Sequence, residues 1–372
     1  MSFHSLNIFL KTGRLLAITP PSTETKENNG CRQIHQVLMI VGIVVGVVVS
    51  TFYKKFYEEY NLAKTTVCIL ADCFLCAFCC RVIVEASRVR SWRELVDGLE
   101  GTSSLVQDED VQTRKVVCKY LVLQVIFWVG NIYINVYWGT ILGALHYKMF
   151  TVEILEFYIQ FFYTFYIYTV LEMIRKRYEG LRRLYKHRFV QNGTNLEQMS
   201  RFVSSLRKLV NAFNDNFGYS LILLISFTIL QILNYMEYNL RSEEYLTEDD
   251  MTHIILTQVL TILLSFVPTL MTILKCDEIV EESQKTIFLV SDSTLGIVDC
   301  KNREDLDRFF NILTTNLPNF SAARFLSIDR STILSIFGTV ISFLIVLVTF
   351  NPSQPDCIVK TNISETPINM HQ

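Results

Sequence analysis

The sequence predicts an all-helical membrane protein with seven membrane-spanning helices and with helical extensions on the cytoplasmic side. Half of the 372 residues are hydrophobic, only 19% are charged, and the mean hydropathy is +0.30. Such a composition lies outside the usual range of soluble proteins. Long apolar segments recur along the chain, and the basic residues alternate between the segments that connect them. Together these features place the N-terminus in the cytoplasm and the C-terminus outside the cell.

Seven apolar segments are each long enough to cross a bilayer. At a rise of about 1.5 Å per residue, roughly twenty helical residues span the ~30 Å hydrocarbon core. The expected spans are residues 34–53, 62–84, 117–138, 149–172, 218–240, 253–274 and 331–350.

The spans divide the chain into regions with different expected roles. Residues 34–274 form a six-helix bundle that binds ligand and includes a cytoplasmic helical loop, and residues 331–350 form the last helix. The remaining regions are the cytoplasmic tail 1–33, the helical loop 173–217, the cytoplasmic anchor segment 275–330 and the extracellular tail 351–372. The first tail lacks the apolar core of a signal peptide.

The positions of the basic residues set the orientation. Most of the 34 Lys and Arg residues lie before the first span or in the second, fourth and sixth connections. Basic residues collect on the cytoplasmic side, so the N-terminus is expected inside. A G-protein-coupled receptor has the opposite orientation. That class also needs an Asp-Arg-Tyr run after the third span, which is absent, and Pro355 replaces the tyrosine that should follow Asn351-Pro352.

The last span carries one stripe of small and polar residues on an otherwise apolar cylinder. The stripe recurs at steps of three or four residues or their multiples and consists of Ser331, Ser335, Gly338, Ser342 and Thr349. Small residues of this kind either pack helices closely together or face water in a pore. Both interpretations are open from spacing. A pore lined by one such helix per chain requires several copies around an axis.

The end of the last span resembles the signature of insect gustatory receptors. Ser342-Phe343, five apolar residues and Thr349-Phe350 are similar to the Thr-Tyr, five apolar residues and Gln-Phe of that family. The preceding residues 322–330 resemble the family's small, aromatic and acidic run. The resemblance implies a ligand-gated cation channel in the plasma membrane of sensory neurons. It also implies a homotetramer, or a heteromer with related receptors, whose subunits meet at the inner ends of the last helices.

The same resemblance implies the pore residues and the class of ligand. The pore and gate would be formed by Ser342, Phe343, Leu347, Thr349 and Phe350, with Thr349 in place of the family's Gln. Sweet-type members carry an acidic residue just after the tyrosine of the signature. Leu344 at that position favours bitter or plant compounds over sugars as the tastant.

Polar residues with aromatic neighbours also recur on the outer halves of the middle spans. They form either a network of hydrogen bonds between helices or a pocket for a small molecule. The candidate ligand-binding residues are Asp72, Trp128, Asn131, Asn135, Glu156, Gln160, Gln231, Asn234, Tyr235 and Thr257. Asp72 lies well inside the second span, where a carboxylate is costly unless it is protonated, paired or functional. Lys64 is one candidate partner, and a ligand is the alternative.

Two cytoplasmic segments are amphipathic at helical spacing, one from Leu196 to Phe213 and one from Leu306 to Leu317. They are expected to pack against each other in an inner domain. The basic segment from Leu196 has an alternative, which is to lie on the anionic surface of the inner leaflet.

Other classes of function have less support. No catalytic motif is present, so an enzyme is not expected, and neither a cofactor, a metal site nor a nucleic-acid partner is predicted. An insect odorant receptor subunit, which shares the topology, is the main alternative. A secondary transporter would show paired broken helices and more buried charge. Asn362 lies in the extracellular tail and is the predicted glycosylation site.

Overall fold

The computed structural model describes residues 11–19, 29–54, 62–105, 109–190, 196–241, 248–295 and 300–350. These residues are almost entirely helical. The elements are α1 Asn29–Tyr53, α2 Leu62–Ala86, α3 Val89–Gly101, a 3-10 turn Ser103–Leu105, α4 Glu109–Leu142, α5 Ala144–Val190, α6 Leu196–Arg241, α7 Glu248–Leu295, α8 Cys300–Thr315, β1 Ser321–Ala322, β2 Leu326–Ser327 and α9 Arg330–Phe350.

The seven predicted spans correspond to α1, α2, α4, α5, α6, α7 and α9. Among the described residues, six helices are long and apolar enough to cross a membrane, and α9 adds a shorter apolar helix, Arg330–Val346. The prediction of a seven-span helical membrane protein is confirmed. Helices α5, α6 and α7 are 47, 46 and 48 residues long. Because about twenty residues cross the hydrocarbon core, each of the three continues well beyond it.

The cytoplasmic extensions pack together as an inner domain. The amphipathic segment that begins at Leu196 is continuous with the fifth span in α6. Its apolar residues Leu206 and Phe213 are buried, as are Leu306 and Phe309 of α8. Short helix α3, which was not foreseen, buries Trp92, Leu95 and Leu99 in the same core. The apolar face of the basic segment is therefore occupied by protein and is not available to lie on the membrane.

Helix α6 lies at the centre of the chain and contacts α2, α3, α5, α7, α8 and α9. The β1–β2 hairpin rests directly on it at Gly218. A Cβ atom added at Gly218 would lie 2.8 Å from the backbone nitrogen of Ala323. Glycine permits this close approach, since any larger side chain would displace the hairpin. The hairpin leads into α9, so α6 positions the start of the last helix.

Candidate functional site

The small-residue stripe of α9 is exposed in the single chain. All five of its members are exposed, and a Cβ atom added at Gly338 would meet no atom within 4 Å. The opposite side of the helix is buried and is formed by Thr332, Ile336 and Val340. The chain's own helices therefore do not use the stripe for packing. It is free to face water or another copy of the chain.

The residues of the gustatory signature do not all point the same way. Phe343 is partly buried and packs against the apolar cluster of Val67, Ile232 and Leu233, whereas Ser342 is exposed. The exposed Thr349 hydroxyl donates a hydrogen bond to the Ile345 carbonyl oxygen, 2.7 Å away. The side chains of Leu347 and Phe350 lie outside the described residues, as does Asn362.

The N-terminus of α9 is capped by Asp329. Its carboxylate accepts hydrogen bonds from the backbone nitrogens of Ser331 and Thr332, at 2.8 and 3.3 Å, and from the Ser331 hydroxyl. The Thr332 hydroxyl in turn accepts a bond from the Asp329 nitrogen. Bonds from Ser331 hold the pKa of Asp329 below its ordinary value. This reciprocal arrangement is a capping box, which defines where the helix begins.

A cluster of charged groups lies among the outer ends of α1, α2 and α5. The Lys54 ammonium is 2.8 Å from the Asp72 carboxylate and 3.3 Å from the Glu153 carboxylate. The Lys54 side chain is only 4% exposed. Asp72 is thus paired with Lys54, whereas the side chain of Lys64 lies outside the described residues. Lys54 and Glu153 were absent from the predicted site, although their positions at the outer ends of the first and fourth spans were a usable signal.

Several buried oxygens in the bundle lack a hydrogen-bond donor. Each is a side-chain acceptor that is almost fully buried, and none has a partner among the described residues. They are Oε1 of Glu156, Gln160, Gln231 and Gln258. Such groups are rare, because a buried polar atom without a partner costs about 1–3 kcal/mol. They belong to α5, α6 and α7. Gln258 was not among the predicted ligand-binding residues, and the other three were.

Other predicted ligand-binding residues are engaged in hydrogen bonds between or within helices. Asn135 donates to the Asn131 carbonyl oxygen at 2.7 Å and pairs through Oδ1 with His146 at 3.0 Å. Asn234 accepts a bond from the Cys68 thiol, at 3.0 Å. The remaining contacts of this group are Asn131 to Phe127, Thr257 to Ile254 and Tyr235 beside Gln231 and Thr261. For these residues the structure supports the network interpretation.

Trp128 lies outside the buried group, contrary to expectation. Its side chain is 42% exposed and packs its ring on Tyr158 and Phe127. Phe127 is buried on the inner side of α4. Consecutive residues are turned by about 100° around a helix, so Trp128 is directed outward.

A groove of about 560 Å³ opens at the cytoplasmic end, between α5 and α7. Its lining combines charged residues with apolar ones, namely Arg182, Glu281, Gln284, Lys285, Phe288, Leu289 and Asp292. Phe288 is 76% exposed there. The mixture of ion-pairing groups and an exposed aromatic ring is typical of a protein contact surface.

Known proteins match both the sequence pattern and the fold. The family model described as 7tm Chemosensory receptor matches residues 6–354. The structure of the insect olfactory receptor OR5 from Machilis hrabei is similar at 12% identity and a TM-score of 0.68, covering 94% of this chain and 100% of that one. The same receptor in complex with eugenol gives 13% identity, a TM-score of 0.70 and coverages of 94% and 99%. No curated protein matches. At these identities the solved structures show the shared fold, and the family match over nearly the whole length shows membership: the chain belongs to the 7tm chemosensory receptor family.

Proposed function

We propose that the chain is a gustatory receptor, acting as a ligand-gated cation channel in the plasma membrane of sensory neurons. In this proposal it detects contact cues, bitter or plant compounds rather than sugars. The observation that carries the proposal is the exposed stripe of α9, directed away from the helices that hold α9 in place. Lipid-facing positions of the neighbouring spans are Val, Leu and Ile, whereas the stripe is Ser, Gly and Thr. Such a surface suits water better than lipid tails.

The pore requires a homotetramer or a heteromer with related receptors, because one helix cannot enclose a water path. The anchor segment 275–330 supplies the contact surface in this proposal. Phe288 in the groove is 76% exposed and Phe325 at the tip of the hairpin is 84% exposed. Large apolar side chains at such exposure favour a partner surface over solvent. They support contacts between subunits on the cytoplasmic side.

The ligand is a small molecule with hydrogen-bond donors. This follows from the four buried acceptor oxygens of Glu156, Gln160, Gln231 and Gln258, which a donor-bearing ligand would satisfy. Eugenol, bound in the structure of the olfactory receptor OR5, is a small molecule of this general kind. The acceptors are nearly inaccessible in this conformation. Binding therefore requires α5, α6 and α7 to move, which couples binding to the shape of the bundle.

Gating follows as a shift between two arrangements of the helices. Pro268 interrupts the hydrogen-bond ladder of α7 and provides a bending point. Next to it, the Thr228 and Thr269 hydroxyl oxygens are 3.2 Å apart and link α6 to α7. Both helices contact α9. A ligand that binds the open arrangement more tightly than the closed one shifts the population toward the open pore.

An odorant receptor subunit is the second candidate, favoured by the likeness to the olfactory receptor OR5. Partner dependence separates the two. A gustatory receptor that works alone produces currents in cells that express only this chain. An odorant receptor subunit produces them only when a second receptor type is present.

The test is to express the full chain in cells and record currents during application of sugars and plant bitter compounds. The expected result is an inward cation current evoked by bitter compounds and not by sugars. Cells expressing Ser342→Phe, which fills the stripe with a bulky side chain, serve as a blocked-pore control. Substrate uptake without channel currents, from chain that reaches the cell surface, would replace the proposal with a transporter.

A further inference from the structure

We propose that the charged cluster of Lys54, Asp72, Glu153 and Glu156 is a binding site for a protonated amine. The inference rests on the proposed function, because it names the chemical class of ligand that the receptor takes. It adds Lys54 and Glu153 to the predicted site and gives the cluster a definite charge requirement.

The first step is a count of charges. Lys54 is the one basic residue of the cluster and it already pairs with two carboxylates, those of Asp72 and Glu153. Glu156 adds a third carboxyl group, which interacts electrostatically with the other three residues. Three acids and one ammonium leave an excess of negative charge within the outer part of the bundle. Unbalanced charge is costly there, so it must be compensated by a proton or by a cation.

The second step is the unsatisfied oxygen of Glu156. Its side chain is 2% exposed, and its Oε1 has no hydrogen-bond partner among the described residues. Gln160 lies one turn further along α5 and is in the same condition. Residues three and four apart share one helix face, so Glu153, Glu156 and Gln160 present a row of acceptors. A group that brings both N–H donors and positive charge satisfies the row and the charge excess together.

The surroundings favour an organic ammonium over a metal ion. In the described part of the chain, no three His, Cys, Asp or Glu side chains lie close enough together to hold a metal. Calcium needs six to eight oxygens around one point, whereas these acceptors are spread along a helix. The Phe150 ring centroid lies 5.2 Å from the Lys54 ammonium, so an aromatic face already contacts a cation at this site. An elongated amine with an apolar body fits such a row.

The test measures binding to the purified full-length receptor in lipid nanodiscs. The probes are aromatic amines, each matched to the alcohol of the same carbon skeleton, beginning with phenethylamine and 2-phenylethanol. The expected result is that amines bind at least tenfold more tightly than their alcohols. Glu153→Gln and Glu156→Gln, which keep the side-chain shape, should each abolish most of this preference. Glu197→Gln, on the exposed cytoplasmic start of α6, is the matched control and should leave it unchanged.

The outcomes separate the amine site from the channel function. Amines and alcohols that bind equally, or a panel of which no amine binds, would overturn the site. Calcium chloride that displaces the amines and binds the same variants would overturn it in favour of a metal ion. Amine binding without any evoked current would keep the site and remove the channel proposal. Currents evoked only by neutral compounds, unaffected by the Gln variants, would keep the channel and remove the site.

Discussion

The guanidinium of Arg330, the first residue of α9, lies 2.5 Å from the Asp277 carboxylate of α7, and Glu281 is a second partner at 3.4 Å. This ion pair joins the anchor segment to the start of the proposed pore helix. Because both groups are partly in solvent, the pair contributes about 0.2–1 kcal/mol.

We therefore expect Arg330→Gln to change the ligand concentration for half-maximal current by about two- to five-fold, which matches that energy. The measurement is a dose–response curve of the expressed channel. The exchange of charges in Arg330→Asp with Asp277→Arg should restore much of the original response. Unchanged curves in both single variants, at equal surface expression, would mean that the pair does not couple the two helices.

The stripe of α9 gives a second prediction. Cysteine placed at Ser335 or Ser342 should react with a water-soluble thiol reagent and reduce the current, because both positions are expected to face the water path. Leu334→Cys is the control, since Leu334 is exposed in the single chain but lies on a different side of the helix. Thr349→Ala should alter the leak current or the ion selectivity. Equal reactivity at Leu334 and Ser342 would contradict the pore assignment.

The cap of α9 predicts a dependence of stability on pH. The folded state holds the pKa of Asp329 below its unfolded value of about 3.9. Its stabilisation is therefore complete above about pH 5 and is lost as the pH falls through the lowered folded pKa. We expect the wild type to melt at a higher temperature than Asp329→Asn at pH 6, and the difference to shrink toward pH 3. A difference that stays constant over this range would show that the charge of Asp329 does not stabilise the cap.

Arg177 gives a prediction about the inner domain. Its buried guanidinium donates to the carbonyl oxygens of Leu99 and Met173, at 2.8 Å each, and to the Thr102 hydroxyl at 2.8 Å. These bonds tie the end of α3 to α5. We expect Arg177→Ala to lower stability by about 2–4 kcal/mol, because it leaves buried acceptors without donors. Thermal unfolding in detergent measures the effect.

Arg183→Ala is the control for Arg177→Ala. Arg183 lies on the same helix, is exposed, and pairs with Glu179 one turn away. Its removal should cost less than about 0.5 kcal/mol. Similar losses in the two variants would indicate a general effect of removing positive charge from α5.

Composition and periodicity were sufficient for the seven spans, because the bilayer imposes a length and an apolar character that each span must meet without help from its neighbours. The amphipathic spacing from Leu196 to Phe213 was likewise a local property, and its apolar side is buried as expected. The stripe on α9 could also be read from spacing. Its direction relative to the other helices could not.

Contacts between distant residues depended on the tertiary structure. Lys54 and Asp72 are 18 residues apart, and Lys54 and Glu153 are 99 apart, so no local pattern indicates that one ammonium serves both carboxylates. Trp128 and Asn131 looked equivalent in the polar pattern of the third span, and only the packing of α4 turned one outward and the other inward. Membrane spanning is decided by each segment's own side chains, whereas a binding site is decided by which faces of several helices meet, and that is set by the packing of the whole bundle.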